Sequence, residues 1–305
     1  MPESIATIDD GIRLRRWTPA GRVRGSFLLL HGMESHSGWF APVAERLAGA
    51  GWASLAHDRT GWGESVGERG HLESYRDFVA ETSRIADLAL REYGSVRLAG
   101  MSWGGMAALY LALRRGWLFD SVHLLNPGFA MAGSRLGRYI PRGVYAFLAG
   151  DGRCEIDVGF DAALFTHDPA WRERIEHDPL RVRKTTVSFY VETIKMRRFI
   201  MEHAGKRRLP PAWCLLAGGD RMVDNARAAE VCDRSGVRVE TIPDRAHSLV
   251  LEVPDLVAAR LDEQAGEALA AKRSRGKAWI IGGGAIGGAV GTLLAIGGSD
   301  VGVLV

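Results

Sequence analysis

The stretch VRLAGMSWGGMAALY, residues 96–110, decides the fold expected for this chain. Its first half is an apolar run typical of a buried strand, and its second half has the spacing of a helix. Gly100, Ser102 and Gly104 form a G-x-S-x-G sequence between the two elements. A serine on a strained strand-to-helix turn presents its hydroxyl at the end of a sheet, where it can act as a nucleophile. The alternative is a small residue in an ordinary tight turn.

Short apolar runs alternate with helical segments along most of the chain. Predicted strands lie near 4–8, 12–17, 25–30, 52–57, 95–99, 119–125, 213–217 and 237–242. Predicted helices lie near 39–50, 74–93, 103–115, 225–235 and 254–272. This alternation is typical of an α/β fold, in which helices cover both faces of a mostly parallel sheet.

Residues 127–210 interrupt this alternation. The block contains several prolines and paired aromatic residues, and it shows no clear strand. An insertion of ~80 residues is too long for a plain loop, so we expect a helical lid inserted at about 127–210. A lid of this kind shapes the pocket and excludes water from the chemistry.

A nucleophilic serine needs a base within hydrogen-bond reach and an acid that orients the base. In hydrolases with a nucleophile elbow these partners follow in the chain order Ser, Asp, His. Asp220 follows the apolar run AWCLLAGG, and His247 follows the predicted strand VRVETI. Both lie in loops after strands, at the edge where open α/β sheets bind ligands. The sequence therefore predicts Ser102, Asp220 and His247 as the catalytic residues, while Asp224 is interpreted as a helix N-cap.

Two backbone N–H groups are expected to form the oxyanion hole. One belongs to Trp103, which follows the nucleophile, and the other to the loop 31–37 after an early strand. Met33 is the expected donor in that loop. His31 and His36 raise the alternative of a metal site, but no third ligand lies near them in sequence. We expect neither a metal nor a cofactor at this site.

Composition limits the partners and the compartment. The net charge of +3 and the absence of a basic stretch interleaved with aromatic residues argue against a nucleic-acid partner. Cys154, Cys214 and Cys232 are too few and too widely spaced for a disulfide framework or a metal site. The segment MPESIATIDDG has no apolar core of a secretory signal, so a cytoplasmic location is expected.

Several segments together resemble the α/β-hydrolase fold. More narrowly, they resemble the monoacylglycerol lipase and lysophospholipase group, also classified as serine aminopeptidase-like hydrolases. The resemblance covers about residues 5–265 and rests on HGMESHSGWF (31–40), HDRTGWGESVGERGH (57–71), GMSWGG (100–105), FTHDPAWRERIEHDPL (165–180), GGDRMVD (218–224) and AHSLVLE (246–252). It implies catalytic roles for Ser102, Asp220 and His247, and oxyanion donors at Met33 and Trp103. It also implies a small acyl ester as substrate, such as a monoglyceride or a lysophospholipid.

The C-terminal segment 277–305 does not fit this pattern. An apolar strand, the glycines Gly282, Gly284 and Gly287, a helical stretch and a second apolar strand resemble the start of a ketopantoate reductase-like Rossmann domain. The acid that would hold a ribose is expected ~20 residues past the glycines, where the sequence ends. We therefore predict a truncated Rossmann-like fragment, and the three glycines are weak cofactor-binding candidates.

A membrane anchor is the alternative for the tail. Residues 278–299 carry no charge and follow a basic run, as a membrane span often does, but they are rich in glycine. The predicted division is a hydrolase domain at 1–271, a basic linker at 272–276 and the fragment at 277–305. Membrane contact through the lid or the tail stays open, as does the oligomeric state.

The expected function is hydrolysis of carboxylic esters through an acyl-enzyme. Three alternatives remain at this point. The first is an aminopeptidase of the same fold. The second is a dinucleotide-dependent oxidoreductase or binding module that uses the glycines of the tail. The third is a protein with a hydrolase fold that binds a ligand without catalysing a reaction.

Overall fold

A central sheet of eight strands organises the protein, as seen in a computed structural model that describes residues 3–8, 11–132, 150–274, 277–281 and 300–304. The strands in these ranges are β1 Glu3–Ile8, β2 Ile12–Trp17, β3 Ser26–Leu30, β4 Ala53–His57, β5 Val96–Met101, β6 Val122–Leu125, β7 Glu155–Asp157, β8 Lys184–Thr186, β9 Ala212–Ala217, β10 Arg238–Ile242, β11 Lys277–Ile281 and β12 Asp300–Leu304. The central sheet has the order β1-β2-β4-β3-β5-β6-β9-β10. Its first three strands pair antiparallel, and the pairs from β4 to β10 are parallel.

Helices connect the parallel strands. They are α1 Ala41–Gly49, α2 Tyr75–Tyr93, α3 Trp103–Arg115, α4 Pro169–His177, α5 Val187–His203, α6 Asn225–Arg234, α7 Leu249–Glu252 and α8 Pro254–Ser274. The Asp224 carboxylate accepts a hydrogen bond from Arg227 N at 3.0 Å, so the predicted N-cap of α6 is confirmed. The α/β fold class and the mostly parallel sheet predicted from the sequence are confirmed.

The central strands are buried along their whole length. Every residue of β3, β4, β5, β6 and β9 is buried. Strands covered by helices on both faces read as continuous apolar runs, because neither face meets water. These runs, such as GSFLLL and AWCLLA, are what made the strand predictions accurate to one or two residues in most cases.

The insert between β6 and β9 is not purely helical, in contrast to the sequence-based expectation. Within it, β7 and β8 pair antiparallel, with Ile156 opposite Thr185. Strands of three residues are too short to produce a recognisable alternation of apolar and polar residues. The described insert also contains a 3-10 helix, Ala162–Leu164, and the helices α4 and α5. Residues 133–149 lie outside the described ranges.

The chain divides into two units, residues 1–261 and 262–305. In the second unit β11 and β12 pair in parallel, with Lys277 opposite Asp300. Gly282, Gly284 and Gly287 lie outside the described residues. The predicted domain division and the Rossmann-like fragment stay predictions. Among the helices of the described ranges, none combines the length and apolar character required to cross a bilayer.

Close backbone packing fixes the start of α3 against the sheet. A Cβ atom at Gly104 would lie 2.1 Å from the carbonyl oxygen of Leu30 and 2.6 Å from that of His31. A Cβ atom at Gly100 would lie 2.2 Å from the carbonyl oxygen of Gly104. Contacts this short with backbone atoms cannot be relieved by moving a side chain. The two glycines therefore let β3, β5 and α3 meet at one point.

We expect Gly104→Ala to lower the free energy of unfolding by about 3 kcal/mol, because the added methyl group must displace backbone. Gly49→Ala is the matched control, since no atom lies within 4 Å of its Cβ position and alanine favours a helix. The control should leave the free energy of unfolding unchanged or raise it. Urea unfolding of both variants tests this, and equal stabilities for the two would contradict the packing argument.

Candidate active site

Ser102 lies on a sharp turn between β5 and α3. Its φ of 57° and ψ of −120° place a non-glycine residue in a region that side chains rarely adopt. Its N–H donates to the carbonyl of Leu125 at 2.9 Å, and its carbonyl accepts from Gly128 N at 2.8 Å. Strain of this kind persists only where surrounding contacts hold it, and it is concentrated at functional sites.

The predicted acid and base are in direct contact. His247 Nδ1 lies 2.7 Å from Asp220 Oδ2, and both side chains are almost completely buried. Because an ionised carboxylate can only accept, Nδ1 carries a proton, and in the neutral imidazole Nε2 is then the acceptor. Nε2 is buried and has no hydrogen-bond partner among the described residues. His247 and Ser102 line the same cavity, so the structure brings all three predicted residues to one end of the sheet.

The environment of Asp220 favours its charged form. Burial acts to raise the pKa of this carboxyl group. The charge and hydrogen bond of His247 lower the pKa, and hydrogen bonds from two backbone N–H groups lower it further. Met222 N and Val223 N donate to Oδ1 at 2.7 and 3.1 Å. The net result is a lowered pKa. Asp220 is therefore ionised at neutral pH and holds the proton of His247 on Nδ1.

Asn126 is a second partner of Asp220 that sequence reasoning missed. It follows β6, is fully buried and has a φ of 46°. Its Nδ2 donates to Asp220 Oδ2 at 2.5 Å, and its Oδ1 accepts from Ala217 N at 2.6 Å. The side chain thus links the carboxylate to the end of β9. An Asn-Pro dipeptide at the carboxyl end of a strand was the available signal, since ligands bind at that edge of the sheet.

The lid insert holds the loop that carries His247. His247 N donates to the carbonyl of Leu164 at 3.3 Å, and Ser248 N donates to that of Phe165 at 2.8 Å. The Glu252 carboxylate accepts from Thr166 Oγ1 at 2.6 Å and from Ala246 N at 3.2 Å. The predicted base is therefore positioned by the insert as well as by the sheet.

The loop 31–37 lies beside the candidate nucleophile, as predicted. A Cβ atom at Gly32 would lie 3.3 Å from Ser102 Cβ, and Met33 and Trp103 line the cavity together with Ser102. His36 contacts Asp178, with Nε2 3.1 Å from Oδ2. No group of three residues suited to bind a metal occurs in the part of the chain that the structure describes.

A buried ion pair clamps this loop to the insert. Arg181 Nε and Nη2 donate to Glu34 Oε2 at 2.8 and 2.6 Å, and Phe160 N donates to Oε1 at 3.0 Å. Both side chains are only 1% exposed. Burial raises the pKa of Glu34 to about 7, although Arg181 acts to lower it. Glu34 directly follows Met33, so the clamp fixes the chain next to the expected oxyanion donor.

The cavity has a volume of about 190 Å³ and a mostly apolar wall. Its apolar lining consists of Met101, Phe129, Ala130, Met131, Phe160, Phe165, Phe189, Tyr190, Ile194, Met222 and Val223. Many of these side chains come from the insert. A wall of this kind accommodates an apolar chain next to Ser102.

Comparison with known proteins shows the family to which the chain belongs. The family model described as serine aminopeptidase, S33 matches residues 21–254. The chain belongs to the serine aminopeptidase S33 family. This assignment confirms the α/β-hydrolase resemblance seen in the sequence.

Relatives of this S33 chain include lipases and a phospholipase. It is 32% identical to human monoglyceride lipase over 115 residues, which cover 37% of the chain and 38% of the lipase. It is 25% identical to phospholipase YtpA of Bacillus subtilis over 215 residues, which cover 68% of the chain and 81% of the relative. The match to mouse monoglyceride lipase likewise spans only 38% of that protein.

Solved structures with the same fold include two lipases. A monoacylglycerol lipase of Paleococcus ferrophilus has a TM-score of 0.73 at 19% identity, covering 88% of this chain and 100% of the lipase. A soluble variant of Saccharomyces cerevisiae monoglyceride lipase, in complex with a substrate analogue, has a TM-score of 0.76 at 18% identity. The match covers 87% of this chain and 94% of the lipase. At these identities the likeness establishes the fold.

We expect Asn126→Asp to lower kcat about 10–100-fold, because a second carboxyl group would replace the donor to Asp220. Two carboxyl groups this close share a proton, so the acid limb of the pH–rate profile should also move to higher pH. Asn225→Asp is the control, because Asn225 donates to the same residue, Ala217, at 2.8 Å. Unchanged pH profiles for Asn126→Asp would contradict a positioning role.

Proposed function

We propose that this protein is a carboxylic ester hydrolase that works through an acyl-enzyme. One observation carries the proposal. A histidine oriented by a buried carboxylate opens onto the same apolar cavity as a serine on a strained turn. This constellation activates a hydroxyl group that would otherwise be a weak nucleophile.

The proposed reaction has two halves. His247 Nε2 accepts the proton of Ser102 as Oγ attacks the ester carbonyl, and the N–H groups of Met33 and Trp103 bind the oxyanion. The tetrahedral intermediate then collapses, and His247 donates the proton to the departing alcohol. Water attacks the acyl-enzyme with His247 again as base, which releases the carboxylic acid and restores Ser102. Asp220 stabilises the imidazolium in both halves.

An acyl ester of glycerol is the proposed substrate. The apolar cavity wall suits an acyl chain, and several relatives carry the names of monoglyceride lipases. A lysophospholipid is the second candidate, because a cation lies at the cavity. Arg197 of α5 lines the cavity, and its Nη1 donates to the carbonyl of Phe129 at 3.3 Å.

Arg197 differs from the neighbouring cations of α5. Lys195 and Arg198 pair with Glu192 and Glu202, respectively. Arg197 forms no ion pair with an acidic side chain in the described ranges. A guanidinium group binds a phosphate through paired hydrogen bonds, so it can recognise a charged head group next to the ester.

Labelling with a fluorophosphonate and turnover of p-nitrophenyl esters test the proposed reaction. Wild-type protein should be labelled, and Ser102→Ala should not. We expect Asp220→Asn to lower kcat about 10³–10⁴-fold, because the imidazole would lose its orienting carboxylate. Asp224→Asn is the matched control, since asparagine caps a helix as well as aspartate does. Equal labelling of Ser102→Ala and wild type would overturn the proposal, and NADPH binding without labelling would favour the dinucleotide alternative.

Arg197→Met decides between the two substrate candidates. If the head group is a phosphate, kcat/KM for 1-oleoyl-glycerol-3-phosphate should fall about 10-fold relative to that for 1-oleoylglycerol. Arg198→Met, which removes a cation already paired with Glu202, should leave the ratio unchanged. If both variants changed this ratio of kcat/KM values equally, or if neither changed it, phosphate recognition by Arg197 would be excluded.

A further inference from the structure

Arg59 is a buried cation that the proposed reaction does not yet use. It follows Asp58 at the end of β4, and its side chain lies behind the loop 31–37. Nη1 donates to the carbonyls of His31 at 3.2 Å and Gly32 at 3.0 Å, and Nη2 donates to that of Met33 at 3.2 Å. The residue is 2% exposed. One guanidinium group therefore holds three consecutive carbonyl oxygens of this loop.

Aromatic rings fix the plane of this guanidinium group. Its central carbon lies 3.8 Å from the ring centroid of Trp62 and 4.4 Å from that of Trp103. Trp103 Nε1 in turn donates to Thr193 Oγ1 at 2.9 Å. Arg59 forms no ion pair with a carboxylate in the part of the chain that the structure describes. Arginine is not deprotonated in proteins, so this site holds a buried charge. The loop carbonyls and the rings contact it directly, and the Glu81 and Asp58 carboxylates also favour the charged form at longer range.

The peptide unit between Gly32 and Met33 connects Arg59 to the oxyanion hole. Its carbonyl oxygen accepts from Arg59 Nη1 and from His31 Nδ1, which also lies 3.0 Å away. The described chain contains no cis peptide bond, so the N–H of this unit points away from its carbonyl oxygen. That N–H belongs to Met33, and Gly32 packs against Ser102, since a Cβ atom at Gly32 would lie 3.3 Å from Ser102 Cβ. Met33 N donates to no acceptor among the described residues.

Hydrogen bonds polarise a peptide unit as well as orient it. A cation bound to the carbonyl oxygen withdraws electron density and makes the N–H at the other end a stronger donor. The effect increases in a buried environment, where charges are poorly screened. Arg59 can therefore act on the oxyanion through one peptide unit without touching the substrate.

We propose that Arg59 is a positioning residue for the reaction, which orients and polarises the Gly32–Met33 peptide so that Met33 N–H binds the oxyanion. The proposal rests on the proposed ester hydrolysis. A purely structural role for Arg59 would affect folding and leave the chemistry of each folded molecule unchanged.

Arg97 provides a matched control for that structural role. It is 1% exposed, and its guanidinium carbon lies 4.2 Å from the ring centroid of Trp52. Its Nη1 donates to Ser95 Oγ at 3.1 Å, and it has no contact with the loop 31–37. Unlike Arg59, Arg97 also lies near a carboxylate, with Nη2 3.7 Å from Asp120 Oδ2. Arg59→Met and Arg97→Met thus both remove a charge from a buried, ring-stacked site, and only the Arg59 site contacts the loop 31–37.

The experiment compares wild type, Arg59→Met, Arg59→Lys and Arg97→Met on an ester and its thionoester, in which sulfur replaces the carbonyl oxygen. Sulfur is a weak hydrogen-bond acceptor, so the ester-to-thionoester ratio of kcat reports on oxyanion binding. Fluorophosphonate titration counts the reactive molecules, so that a loss of folded protein does not lower the measured kcat.

We expect Arg59→Met to lower kcat for the ester about 10–100-fold, with KM changed less than about 3-fold, and to lower the ester-to-thionoester ratio by a similar factor. Arg59→Lys keeps the charge and one donor direction, so its kcat and its ester-to-thionoester ratio should lie between those of wild type and Arg59→Met. If Arg59→Met does not fold, Arg59→Lys alone tests the inference. Arg97→Met should keep the wild-type ratio. A wild-type ratio in the Arg59 variants would overturn the inference and leave the proposed function intact. Absence of labelling in wild type would overturn both.

Discussion

The backbone of Ser102 must hold a conformation that side chains avoid, and much of the site depends on how the fold enforces it. The hydrogen bonds from Ser102 N to β6 and from Gly128 N to the Ser102 carbonyl fix the turn from both sides. The absence of a side chain at Gly104 lets the turn lie directly against the end of β3, and its absence at Gly100 lets the start of α3 lie against β5. A residue in such a region costs of order 1–3 kcal/mol, which the surrounding packing must offset. In return, the hydroxyl group stands at the edge of the sheet where the other loops converge.

The insert between β6 and β9 holds two other loops of the site. It accepts backbone hydrogen bonds from the His247 loop through Leu164 and Phe165, and it holds the Met33 loop through the Glu34–Arg181 pair. The proposed base and the expected oxyanion donor thus depend on the same segment that forms much of the cavity wall. Buried ion pairs are weak evidence for stability, because desolvation offsets much of the attraction. The directed hydrogen bonds of the Glu34–Arg181 pair instead explain its place beside the site, because they fix the position of the Met33 loop.

Sequence patterns predicted the elements that burial makes regular. The apolar runs predicted the parallel strands, and the G-x-S-x-G sequence predicted the turn at Ser102 between β5 and α3. The positions of Asp220 and His247 in the loops after β9 and β10 indicated the acid and the base. The short strands β7 and β8 gave no periodic signal. Asn126 and Arg59 were missed for a different reason. Their roles arise from contacts between residues distant in sequence, such as Arg59 Nη1 with Gly32 O, and no local pattern reports such contacts. The assignment of catalytic roles stays a proposal that the geometry supports.

In the proposed reaction, one carbonyl group meets Ser102, His247 and the N–H groups of Met33 and Trp103. A crystal structure of the protein after reaction with a fluorophosphonate tests it most directly, because the phosphonyl oxygen mimics the oxyanion. We expect phosphorus bonded to Ser102 Oγ, its oxygen about 2.7–3.1 Å from both N–H donors, and His247 Nε2 within hydrogen-bond distance of Oγ. A phosphonyl oxygen directed away from both donors, or an adduct on another residue, would contradict it.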